Sequence, residues 1–176
     1  MDILNSIEHC LDREHNTRMA PWQGETLHRI LIDGAHDAAG YARFFRGLAA
    51  VGNIMPYTAL YWPNGSVSQC LPFNRIGWHA RRYSRKYLGL GIVGDTRIRP
   101  PTDEQMESVL KTLWWCSMQR GGVVDTFGHT EKQDATSWNG HQCPGRFVDM
   151  DEVRAAVLAR VQASPECPPN PGFVLE

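Results

Sequence analysis

The chain has 176 residues, the length of one ordinary domain. Apolar residues are 42% and charged residues 21%, a balance that excludes disorder, collagen and coiled coil. Lys plus Arg is 18 against 19 for Asp plus Glu, which leaves no electrostatic footprint for nucleic acid. No apolar run approaches the roughly 20 residues of a membrane helix, so neither nucleic acid nor membrane is expected as a partner. The start, Met1-Asp2-Ile3-Leu4-Asn5, lacks the basic-then-apolar pattern of a secretory signal, and synthesis in the cytoplasm is expected. Cys10, Cys70, Cys116, Cys143 and Cys167 are odd in number and form no CxxC pair, which suits reduced thiols.

Residues 1–27 are polar and mixed, an N-terminal extension with a short helix expected over 3–11. His28-Arg29-Ile30-Leu31-Ile32-Asp33 reads as a buried strand, short, β-branched and closed by Asp-Gly. Tyr41, Phe44, Phe45 and Leu48 share one face of a helix over 38–51. The runs 58–62 and 67–70 flank Pro63-Asn64-Gly65-Ser66, the pattern of a hairpin. Residues 88–93 form a further apolar run, closed by Gly94-Asp95.

Thr102 and Gln105 make a capping box. The amphipathic helix that follows carries Met106, Val109, Leu110, Leu113 and Trp114, with Trp114 expected in the core and Trp115 on a neighbouring face. Gly121-Gly122 ends it, and 123–127 reads as a short strand. Asp149 and Glu152 open a last helix with Val153, Ala156, Val157 and Val161 inward. Four prolines mark 164–176 as an extended, surface-lying tail. The order of elements predicts an α/β single domain over 28–163, a central mixed β-sheet flanked by helices.

Two segments carry candidate chemistry. His129 follows a predicted strand, and Cys143 stands in a loop stiffened by Pro144 and Gly145. Imidazole and thiolate are both zinc donors, and the intervening loop is long enough to bring them to one ion. The pair alone is weak evidence, because a single His or Cys is more often a packed side chain. His9, His15 and His28 read most simply as surface residues, although His28 begins the first strand near the candidate site.

The stretch 32–145 resembles the zinc-dependent N-acetylmuramoyl-L-alanine amidases of the type-2 amidase and peptidoglycan-recognition-protein fold, phage lysozyme-type amidases included. The pieces that carry the likeness come in the family's order. They are the helix segment from Ala38 to Phe45, the hairpin from Tyr57 to Gln69, and Gly77-Trp78-His79-Ala80. The run from Leu88 to Asp95, Pro101-Thr102 with Gln105, Gly128-His129 with Glu131, and Cys143-Pro144-Gly145 complete the set.

The resemblance implies Zn2+ as cofactor and His129 and Cys143 as two of its ligands. Tyr57 matches the tyrosine that helps activate the attacking water in phage-type members. His141 stands where many members carry an oxyanion-stabilising Lys. Trp78 and His79 would line the glycan–peptide groove, and Trp138 would either stack on a sugar or pack its own loop. Gly91 occupies the place of a Glu that other members use. The family's remaining zinc ligand is a His at the end of the first strand, and Asp33 stands there here. Three readings follow: Asp33 is the ligand, His36 reaches in instead, or the site has lost zinc and only binds. Arg81, Arg82, Arg85 and Lys86 form a basic cluster, read as a solvated loop.

The implied reaction is zinc-dependent hydrolysis of the amide between N-acetylmuramic acid and L-alanine of peptidoglycan. The implied setting is a monomeric phage endolysin that reaches the cell wall after holin-mediated release. The rival expectation is an amidase-fold protein that binds a muropeptide or another small anionic ligand without cleavage.

Overall fold

The structure is a computed structural model. It describes residues 3–5, 22–30, 56–131, 142–164 and 166–175. Among the described residues, six strands form one mixed sheet in the order β1-β4-β3-β5-β2-β6. They are β1 (Ile3–Asn5), β2 (Gly24–Ile30), β3 (Ala59–Tyr61), β4 (Val67–Gln69), β5 (Tyr87–Val93) and β6 (Asp125–Gly128). Only the β3–β4 hairpin pair is antiparallel among them. Two α-helices among the described residues, α1 (Asp103–Gln119) and α2 (Met150–Ala163), accompany the sheet. The expected helix over 38–51 lies outside the described residues.

Local signals start both helices. The Thr102 hydroxyl accepts the Gln105 amide at the head of α1, and the Asp149 carboxylate accepts the Asp151 and Glu152 amides at the head of α2. Each such cap satisfies N–H groups that have no partner within the helix, and is worth about 1 kcal/mol.

Strand alternation gives the sheet two different faces. Leu88, Leu90 and Ile92 of β5 sit beside Glu25, Leu27 and Arg29 of β2. Leu27, Leu88, Leu90 and Ile92 pack with Val109, Leu113 and Cys116 of α1 and Val153 and Val157 of α2. The intervening residues, Gly89 and Gly91, sit beside Thr26 and His28. The face toward the described helices is thus mostly apolar, and the other face mixes Thr26 and His28 with Leu60, Tyr87 and Phe127.

Several expectations shift. Ile3–Asn5 is a strand parallel to β4, where a helix over 3–11 was expected. The strand expected from 28 begins earlier, at Gly24, as β2. Trp115 is fully buried and Trp114 only partly so, the reverse of the expected pair. The reason is at the end of the helix. Trp115 meets the rings of Phe73 and Phe173, 5.7 and 5.5 Å between centroids.

Phe173 belongs to the tail, which is not simply surface-lying. The Gln69 side-chain amide donates to the Val174 carbonyl at 2.7 Å and accepts its N–H at 2.8 Å. Residues on both sides of 28–163 therefore contribute to the same sheet and core.

Candidate metal centre

Two neighbouring parallel strands bring the first two donors together. Leu27 of β2 is in register with Gly128 of β6, so His28 and His129 both lie at the carboxyl ends of their strands. In open α/β sheets that edge is where ligands collect. The imidazole rings lie 4.4 Å apart between centroids. His28 is 1% exposed, which corrects its reading as a surface residue.

Cys143 arrives from the loop ahead of α2. The Arg29 backbone N–H reaches its Sγ at 3.4 Å, and Arg29 Nε donates to the Gln142 carbonyl at 2.7 Å. Both the N–H and the hydroxyl of Thr130 donate to the Cys143 carbonyl, at 3.0 and 2.9 Å. Thr130 follows His129 directly, so the loop carrying one donor is tied to the turn carrying another. The Thr96 hydroxyl donates to the Pro144 carbonyl and fixes the loop from a third side.

The result is a cluster of three donors. Ligand atoms of His28, His129 and Cys143 all lie within 4.8 Å of one another. Two imidazoles and one thiol are a donor set that zinc accepts, and three protein ligands leave a fourth position open, as in catalytic sites. The residues present therefore fit the metal that the sequence implies.

Burial tunes these groups. It pushes His28 well below the ordinary histidine range, with His79 and His129 adding to the effect. An imidazole held neutral keeps the lone pair a metal needs. Burial raises the Cys143 thiol, while the Arg29 N–H and its positive charge pull the other way. Arg29 is itself paired with Asp95 at 3.5 Å. The Asp95 carboxylate is held at about 2, chiefly by the hydrogen bond from Arg97.

The other expected site residues are distributed as follows. Tyr57 is half-buried, its ring 5.1 Å from that of His28. Trp78 is exposed at 60%, free to face a ligand. His79 is 8% exposed and has both ring nitrogens engaged inside the protein, so it meets His28 rather than lining an open groove. Burial takes His79 down to about 4. Gly91 is beside His28, and a Cβ there would come within 2.7 Å of Ile30 Cδ1. A side chain there would need Ile30 to shift. Asp33, His36, Trp138 and His141 lie outside the described residues.

Sequence reasoning missed His28 as a donor, although a signal existed. It is a histidine within a β-rich run, at the strand position whose neighbour leads into His129.

The chain belongs to the N-acetylmuramoyl-L-alanine amidase family, whose sequence pattern matches residues 9–146. This is the class that the mixed sheet and the donor cluster define. Among individual proteins, peptidoglycan-recognition protein 2 of Holotrichia diomphalia is 28% identical over 71 residues. That match spans 40% of this chain and 37% of the relative. The fold is also that of the Ph2119 endolysin from the Thermus scotoductus MAT2119 bacteriophage Ph2119. The TM-score is 0.68 at 19% identity, covering 88% of this chain and 98% of that one. A Drosophila PGRP-LB variant in complex with tracheal cytotoxin matches with a TM-score of 0.65 at 17% identity, covering 93% and 94%.

Proposed function

We propose that the chain is a zinc-dependent amidase that cleaves the bond between N-acetylmuramic acid and L-alanine in peptidoglycan. The observation that carries this reading is the convergence of His28, His129 and Cys143 within 4.8 Å. Zinc held there would acidify a water and polarise an amide carbonyl. The chain's own residues do the rest. Arg29 and Thr130 hold Cys143 in place through its Sγ and its carbonyl. Tyr57, against the His28 ring, orients the attacking water. Trp78 offers an exposed aromatic face to the glycan or stem peptide.

Family membership and the fold shared with a phage endolysin support an endolysin role on the cell wall, reached after holin-mediated release. Binding without cleavage is the second reading. It is favoured by the fold shared with recognition proteins whose structures hold tracheal cytotoxin. The complete donor set weighs toward cleavage.

The test is incubation of zinc-loaded protein with purified peptidoglycan, reading new L-alanine amino termini. Release that a chelator stops and zinc restores supports the amidase. Retention on the wall without new amino termini supports the binding protein instead.

A further inference from the structure

His28 has two ring nitrogens with different neighbours. Nδ1 lies 3.8 Å from Cys143 Sγ, on the side of the donor cluster. Nε2 lies 3.0 Å from Nδ1 of His79. His79 Nε2 in turn lies 2.9 Å from the Tyr87 carbonyl oxygen. A carbonyl only accepts, so His79 Nε2 must carry a hydrogen. A neutral imidazole has one N–H, so His79 Nδ1 is then an acceptor. The hydrogen between the two rings therefore belongs to His28 Nε2, and His28 Nδ1 keeps a bare lone pair facing Cys143.

We propose that His79 is a positioning residue that sets the tautomer of His28 through this relay, so that Nδ1 of His28 is the atom offered to a metal. The inference rests on the metal reading above and adds a residue to it. A relay of this kind orients a ligand and fixes which nitrogen is free, the role usually filled by a carboxylate or carbonyl behind a metal-bound histidine.

The His79 ring is held in place for this task. It lies over Gly89 of β5, where a Cβ would come within 2.7 Å of His79 Cγ and Cδ2. The Ser84 hydroxyl accepts the N–H groups of both His79 and Ala80, at 3.2 and 2.8 Å. The ring stands edge-on to that of His28, with centroids 5.1 Å apart. Bare backbone beneath the ring and a pinned turn behind it leave His79 one orientation.

Two measurements test the relay. Long-range proton–nitrogen spectra of the histidine rings, taken on metal-free wild-type protein, read the tautomers directly. Hydrogen on Nε2 of both His28 and His79 is expected, and hydrogen on Nδ1 of His28 overturns the proposal. Zinc affinity by chelator competition is then compared across variants. His79→Leu should lose about 10–100-fold, whereas His79→Gln, whose amide keeps one donor and one acceptor, should stay within about threefold of wild type. Gly89→Ala, which displaces the ring without removing it, should weaken zinc in the same direction as His79→Leu.

Equal losses in the Leu and Gln variants would mean that His79 acts by packing alone, and would sink the proposal. So would unchanged affinity in all three. A wild-type protein that binds no zinc defeats the metal reading instead, and the tautomer spectrum still decides the relay.

Discussion

Glu25 and His28 are three residues apart on β2, both enclosed, and on opposite faces of the sheet. Burial acts on both in the same sense, disfavouring the charged form. It raises the Glu25 carboxyl to about 8 and drops the His28 imidazole well below its usual value. What differs is the company. Glu25 accepts a hydrogen bond from Thr126 and lies among Cys116 and Tyr61, beneath the packed side of α1. His28 meets a second imidazole, a thiol and a relay partner. A displaced pKa therefore marks burial in both cases, and the convergence of donors marks only one of them as a site.

Removing a donor breaks that comparison most severely. His28→Ala or Cys143→Ala should abolish stoichiometric zinc, read by elemental analysis, and with it wall cleavage, by at least about a thousandfold. Either variant retaining one zinc per chain would remove the metal site argued above. The same change on the other face, Glu25→Ala, should leave zinc stoichiometry near one while lowering stability.

Next in size is the aromatic anchor of the tail. Phe173 sits 4.9 Å from Phe73 and 5.5 Å from Trp115, ring to ring, and is nearly inaccessible. Phe173→Ala should cost about 3–5 kcal/mol of unfolding free energy, the range for emptying an aromatic site in a core. Urea denaturation checks it. A loss near zero would return the tail to the surface.

What was legible in the sequence was local. The Thr102 and Asp149 caps, the hairpin and the β5 run depend on neighbours within a few residues, and they stand as expected. His129 and Cys143 were legible because each has an unusual flank, a strand end and a Pro-Gly. His28 was hidden by Glu25, Thr26 and His28 themselves. Polar residues in a fully buried strand have no hydropathic signature, so the apolar run alone places the strand's start at 28 and not at Gly24. Pairing of Ile3–Asn5 with β4 and docking of Phe173 are long-range events, invisible to any window.

Glu25 offers a smaller, pH-dependent test of the packed face. Its folded pKa of about 8 lies above the unfolded value of 4.5, so the folded state holds a proton that the unfolded chain has lost. The associated stability is fully present below about pH 4.5. It falls by about 1.4 kcal/mol per pH unit up to about pH 8, and levels off beyond. Glu25→Gln removes the titration. Subtracting its urea stability from that of wild type at pH 5, 6, 7 and 8 should give a difference that grows steadily against wild type. A flat difference would mean that Glu25 is ionised in the fold.

The smallest expected effect is the sharpest on ligand identity. With His28, His129 and Cys143 as the donors, the thiolate is the one anionic ligand, and an added carboxylate would make the metal a weaker Lewis acid. Three protein donors already leave the single open position that hydrolysis needs, and a fourth would close it. Asp33→Ala should therefore leave zinc near one per chain, and elemental analysis of the purified variant decides. Loss of zinc would move the third ligand from His28 to Asp33, and would leave the buried hydrogen bond of His28 with His79 a structural one, like that of Thr126 with Glu25.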